Sequence, residues 1–495
     1  MTGGETPPLR GRCLQKYRNI DNSLSNITQH YHFNQINMSS LLSNKKHRRF
    51  TDRLVRTCLL IAFYLLNLML VDVSCALDWN DFLGPDRNGK SQEKINIVPW
   101  EKSGPKIVWV REIGTSYGSP TVANGRIYVF ARHGDLARLS CLQATTGDEI
   151  WKYEYATDYE DMYGYNNGPR CCPVVDADRV YIFGAEGELH CVSTHDGERL
   201  WKVDTAERFN VVQNFFGVAS VPAVEGELLI VQIGGSPQGT SRNIWDSDGN
   251  PKPDSSGIVA FNKHTGEVVY QIADELASYA SPVFAEIDGR RWGFSFLRGG
   301  LVGFEPKSGK IDFHYPWRSP KIESVNASSP VMIGDLVFIS ESYGTGSSVI
   351  QVRPGGYDVI WRDKANSRNM SMALHWNTAI HHEGFLYGNS GRHSGGADIR
   401  CVEVKSGKIM WRKRVNERAS LLWVNGYFIY LGEYGRLMLL KCTPEKPVIV
   451  SQTVVKDENG KQLISYPAWA APVLSDGYLY IRGKNRLICF DLKSD

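Results

Sequence analysis

The sequence predicts an all-β protein: a single eight-bladed β-propeller of four-stranded antiparallel blades. Three observations predict it. One phrase recurs eight times, beginning at residues 118, 171, 220, 280, 328, 376, 421 and 470: a small residue and Pro, an alternating apolar run, a turn, a second run, then Gly-x-x-x-aromatic. The Gly-to-aromatic step is constant at 147/151, 197/201, 266/270, 309/313 and 407/411. The two ends of the array also complement each other. The last copy, 470–495, stops before its aromatic, while GPKIVWV (104–110) supplies Trp109 with no three strands before it.

Each element has a physical reason. Alternation such as Arg126-Ile127-Tyr128-Val129-Phe130 between turn residues makes a half-buried strand, and no stretch reads as a helix. The Gly of each final turn supplies a positive φ, so the aromatic four residues later lands at one depth in every copy. Copies of this size match four-stranded blades. Pairing the strand around Trp109 with the last copy closes the ring and removes an exposed sheet edge.

Charge is distributed unevenly. Residues 1–76 hold 10 basic and 4 acidic groups, leaving 46 of the 56 basic and 49 of the 53 acidic residues in a mildly acidic body. That body lacks the basic face needed to neutralise phosphates, so no nucleic-acid partner is expected. The basic run from Lys45 to Arg56 leads into TCLLIAFYLLNLMLV (57–71), and Ser74-Cys75-Ala76 offers small residues for cleavage after Ala76. This is the pattern of a signal peptide. It predicts a leader at 1–76, with Met38 as an alternative start, a lead-in at 77–103 and the propeller at 104–495. The product is expected to be exported to the periplasm or cell envelope as a monomer. Membrane attachment would come only from an uncleaved anchor or a partner.

The phrases Thr146-Gly147…Trp151, Asp196-Gly197…Trp201 and Ser406-Gly407…Trp411 resemble the pyrroloquinoline quinone (PQQ)-like repeat family, over about 106–495. Tyr270 and Phe313 keep the aromatic, and the seventh copy loses it. DFLGPDRNG (81–89) resembles the lead-in of such proteins from planctomycetes. The resemblance implies a propeller with Trp docking between blades. It leaves two functions open, because the family includes both BamB-type outer-membrane assembly lipoproteins and quinone enzymes.

Seven Cys follow the leader. Cys141, Cys191 and Cys401 lie ten residues before their aromatic, in a column that elsewhere holds Ala260 and Gly303, and Cys489 fits the same phrase. Such a column is a slot for a small buried side chain, so these are expected to be free structural thiols. Cys171-Cys172-Pro173-Val174-Val175 opens the second copy. Methanol-dehydrogenase-type quinoproteins carry a vicinal disulfide over their quinone in a similar context, so the resemblance implies that Cys171 and Cys172 bind the cofactor if a quinone is present. Against this, the same columns hold small pairs in other copies, among them Gly118-Ser119, Ser220-Val221 and Ala470-Ala471. The segment where those enzymes place a calcium-ligating Glu, GGSPQGTSRNIW (234–245), has no carboxylate, and its nearest substitute is Gln238. No cofactor and no metal are therefore expected, with PQQ and calcium kept as the alternative. Under that alternative the base would come from loop carboxylates such as Asp158, Asp161 or Glu323.

The long connections between copies crowd Tyr, Trp, Asn, Arg and His at one end of the ring, where variable loops on a rigid scaffold hold sites. They predict a ligand surface at the channel mouth that includes Tyr163, Asn167, Arg170, Asn214, Phe216, Asn326, His375, Trp376, Asn377, Arg392 and Trp469. His381 and His382 are adjacent on a strand turn and diverge, so zinc is not expected from the cluster they form with His375 and His393. The sequence thus predicts a rigid binding or assembly scaffold for an envelope protein or small ligand. The alternative is a quinoprotein dehydrogenase acting on an alcohol or sugar.

Overall fold

The computed structural model describes residues 78–246 and 251–493. The leader, its cleavage site and Met38 lie outside them. Eight four-stranded blades follow in sequence order: 121–156, 174–204, 223–272, 283–316, 331–362, 380–414, 419–454, and 473–491 completed by Lys106–Glu112. First strands of neighbouring blades touch one another, which places them around the axis. They are short and mostly buried, such as Thr121–Ala123, while outer strands such as Glu149–Ala156 are half-exposed. The ring closes as the ends of the array require: Lys106–Glu112 pairs antiparallel with Arg486–Asp491, with Trp109 opposite Cys489.

The recurrent phrase joins blades through its Gly and its aromatic together. Trp151 donates its indole N–H to the Thr194 carbonyl at 3.1 Å. Its ring lies over Gly197 of the second blade, where a Cβ would meet it at 2.6 Å. Gly197 therefore answers two demands, a φ of +80° and room for the neighbour's indole. Trp109 to Ala144, Trp201 to Lys263, Trp361 to Val404 and Trp411 to Thr443 repeat the indole bond at 2.6 to 3.1 Å. Opposite five of the rings in their own blades sits the small column: Cys141 faces Trp151, Cys191 faces Trp201, Ala260 faces Tyr270, Gly303 faces Phe313 and Cys401 faces Trp411, while Trp361 faces Val349. The seven cysteines among the described residues are all free.

One expectation fails. Thr205–Phe209 is a single helical turn, where no helix was expected. Asp204 caps it by accepting from the Glu207 N–H at 2.8 Å, and Asp204 and Glu207 have the spacing of a capping box. A strand-dominated composition hides a helix of five residues. A 3-10 turn at Ser394–Gly396 was missed for the same reason.

The lead-in contributes the part of the fold that matters most for a site. Trp79 exchanges backbone bonds with Val122, and the Val175 N–H donates to the Asn80 carbonyl. Arg87 grips Asp81 at 2.8 and 2.7 Å and donates to the carbonyls of Pro222 and Pro282 at 2.5 and 2.8 Å. Lys90–Ser91 then forms a strand parallel to Ala419–Val424, and the Gly477 N–H donates to the Glu93 carboxylate at 2.7 Å. Blades one, two, three, four, seven and eight are thus tied to the segment from Trp79 to Glu93, which crosses the axis and stoppers one end of the channel.

Candidate functional site

Above this stopper the first strands carry a belt of small residues bonded from blade to blade. The Ser119 hydroxyl donates to the Ala471 carbonyl at 3.0 Å and that of Ser220 to the Ala280 carbonyl at 2.9 Å. The N–H groups of Val221, Ser281 and Ser329 each donate at 3.1 Å to the hydroxyl of Ser281, Ser329 and Thr378. Cys171 belongs to this belt: its thiol donates to the Ser220 carbonyl at 3.3 Å, the bond that Ser220 repeats one blade further on. The belt walls a cavity of about 360 Å³ floored by Phe82 and Leu83 of the lead-in.

An aromatic collar surrounds the mouth. Ring centroids are 5.6 Å apart from Tyr343 to His375, and 4.8 Å from His375 to Trp376, from Trp376 to Trp469 and from Trp469 to Tyr117. Tyr165 approaches both Trp469 and Phe216, at 6.4 and 6.3 Å, and Phe216 leads to Tyr279 at 5.9 Å. Three guanidiniums lie on these rings: Arg170 at 5.0 Å over Tyr117, Arg392 at 4.2 Å over Tyr343 and Arg418 at 4.1 Å over Trp376. Among the described residues no Asp or Glu lines the cavity.

The carboxylates sit behind the wall. Asp161 is fully buried and ion-paired to Arg170. Glu433, also fully buried, takes Arg418 at 2.6 and 3.0 Å and accepts from the Ser394 hydroxyl at 2.7 Å and the Trp469 indole at 3.1 Å. Burial alone would raise the Glu433 carboxyl, but the donors led by Arg418 outweigh it and hold it low. His375 is pushed down to about 3, by burial first and then by Arg418 and Arg392, so it is neutral. Burial pushes the Cys171 and Cys172 thiols well up, so neither is a thiolate.

Seven of the eleven ligand-binding candidates from sequence line the cavity: Arg170, Phe216, His375, Trp376, Asn377, Arg392 and Trp469, with Cys172 deeper in the wall. Tyr163 stands beside the collar, 5.6 Å from Phe216. The other three serve the backbone. Asn167 caps the Asp161 N–H at 2.9 Å, Asn214 donates to the Ala277 carbonyl at 2.9 Å, and Asn326, fully buried, donates to the Leu297 carbonyl at 2.7 Å. Gln238 bonds the Glu207 carbonyl at 3.1 Å, away from the cavity, and Glu323 stands 4.0 Å from Arg392. His381 accepts from the Gly384 N–H and His382 packs on Trp423, both away from the cavity, while His393 lines it. Sequence reasoning missed Tyr117, Tyr165, Tyr279, Tyr343, Arg418 and Tyr466. Tyr343 comes from a turn inside a blade and Tyr117, Tyr279 and Arg418 from short joints, which do not stand out in the sequence, whereas Tyr165 and Tyr466 lie in long connections whose composition does not single them out from their neighbours.

A calcium-bound quinone does not fit this donor set. Calcium sites combine carboxylate oxygens with neutral ones, and among the described residues no carboxylate lines the cavity. Among the described residues no group of three His, Cys, Asp or Glu could hold a metal ion, and the Cys171 thiol is engaged with the Ser220 carbonyl. No helix among the described residues is long and apolar enough to cross a membrane.

Comparison with known proteins supports the fold. BamB from Moraxella catarrhalis superposes with a TM-score of 0.52 at 11% identity, over 79% of this chain and 98% of that one. Quinohemoprotein alcohol dehydrogenase from Comamonas testosteroni superposes with a TM-score of 0.57 at 12% identity, over 87% and 82%. The computationally designed Ika8 protein reaches 0.51 at 9% identity, over 78% and 100%. No curated protein matches in sequence. At such identities the structures share the fold and nothing finer. The family described as outer membrane protein assembly factor BamB matches residues 135–413, more than half of the chain. With its eight repeats and their docked aromatics, the chain belongs to this PQQ-like repeat family of β-propellers.

Proposed function

We propose that this propeller is a non-catalytic binding scaffold of the cell envelope, exported by its leader, that engages a ligand or a partner's side chains through the collar at the axial mouth. One observation carries the reading: the cavity offers aromatic faces and guanidiniums and no carboxylate that could serve as metal ligand or general base. The name of the matching family, an assembly factor, agrees with it. The reading predicts no calcium-dependent, dye-linked oxidation of alcohols or sugars when the purified protein is supplied with PQQ and calcium. It also predicts retention on an envelope partner that is lost in the Trp376→Ala/Trp469→Ala double variant. Turnover would overturn it, as would retention unchanged by the double variant.

A further inference from the structure

The three guanidiniums of the mouth are not equivalent. Arg170 is neutralised by buried Asp161 and also donates to the carbonyls of Phe216 and Gly168. Arg418 is neutralised by buried Glu433 and donates to the Arg392 carbonyl. Arg392 has only Glu323, about as exposed as itself and 4.0 Å away, a loose ion pair beyond the roughly 3.2 Å of a hydrogen bond. Among the described residues nothing accepts a hydrogen bond from its guanidinium. It is held over the Tyr343 ring at 4.2 Å, a contact that orients the plane and leaves the N–H fork unused.

Two further polar atoms of the same wall lack partners. The Tyr117 hydroxyl and His375 Nδ1 are buried without a hydrogen bond. His375 Nε2 lies 3.2 Å from the Tyr343 hydroxyl. When that hydroxyl donates, the neutral ring carries its proton on Nδ1, so Tyr117 and His375 both present donors. Buried donors without acceptors are costly and point to a ligand that supplies the acceptor. An idle guanidinium, two idle donors and no carboxylate together describe a site short of negative charge.

We propose that the axial cavity binds a ring-bearing organic anion, with the ring on the Trp376–Trp469 side of the collar and its carboxylate or sulfate paired by Arg392 without a metal. This rests on reading the cavity as a binding site. The shared chemistry admits two sources, an acidic saccharide or an aromatic acid, and the test separates them. Titration calorimetry and quenching of indole fluorescence on the purified protein at low salt would compare four probes. These are a glucuronic acid oligosaccharide, the matching neutral glucose oligosaccharide, 2-naphthoate and 2-naphthamide.

For one pair, the acid binds at least tenfold tighter than its neutral counterpart, about 1.4 kcal/mol. Raising salt narrows that gap. Arg392→Gln brings it within about twofold while Arg392→Lys keeps part of it, as loss of one charge-assisted contact requires. Unfolding midpoints for both variants serve as the control for folding. Equal binding of acid and neutral probes overturns the proposal while leaving the binding reading intact. A charge preference that survives Arg392→Gln overturns the assignment to Arg392. If none of the four probes binds, the proposal falls, and the retention test with the Trp double variant decides the broader reading by itself.

Discussion

The two ends of the axial channel use the same chemistry to opposite effect. At the stoppered end Arg87 is 8% exposed and makes four hydrogen bonds, two to Asp81 and one each to the carbonyls of Pro222 and Pro282. At the open end Arg392 is about a third exposed, with a ring behind it, Glu323 at 4.0 Å and no protein acceptor for its N–H groups among the described residues. A buried guanidinium whose fork is taken up by protein acceptors is structural, whereas one held in place at a mouth with its fork open has capacity for a ligand. The contrast between satisfied and unsatisfied arginines locates the site more sharply than the count of arginines does.

The comparison can be broken at three places. The largest effect is expected at the floor. Arg87→Ala leaves Asp81 without its cation and two carbonyls without donors, and costs about 3 to 5 kcal/mol. Chemical denaturation measures it, and a loss below about 1 kcal/mol would mean that the lead-in is only draped over the axis. At the mouth, His375 has a folded value near 3, below the roughly 6.5 of an unfolded chain. Its lowered value means that the unfolded state takes up the proton first. Its contribution is present above about pH 6.5 and is lost as pH falls towards 3. The stability of His375→Asn should therefore decline less steeply than wild type over that window, and parallel profiles would show that this histidine is not buried neutral. The smallest effect lies in the belt between the ends. Cys171→Ser keeps the bond to the Ser220 carbonyl that Ser220 makes one blade on, and should cost under about 1 kcal/mol. A loss of several kcal/mol would reveal a covalent partner for Cys171.

Most of the ring was legible in the sequence because its signals are local and repeated. The turn Gly and the aromatic four residues later appear in one stretch, and the small residue opposite the ring appears ten residues earlier. The stopper was not legible. Phe82, Leu83 and Arg87 show no periodicity, and their roles come from blades 35 to almost 400 residues away, so nothing in DFLGPDRNG announces a channel floor. Site residues were half legible for a related reason. Long loops flag Trp376 and Trp469, but the same composition also flags Asn214 and Asn326, whose amides hold loop backbone. Polarity marks a side chain that needs partners, and only geometry says whether the protein already supplies them.

The pairing of Lys90–Ser91 with Ala419–Val424, of Glu93 with Gly477 and of Trp109 with Cys489 has a consequence in time. Residues that leave the ribosome among the first of the domain must wait for those that leave among the last. Until the eighth blade is translated, Glu93 at the end of the lead-in lacks its Gly477 partner and the strand Lys106–Glu112 has no sheet to join. Contacts of such long range make folding slow, and a chain halted before residue 473 would have neither a closed ring nor a finished binding site.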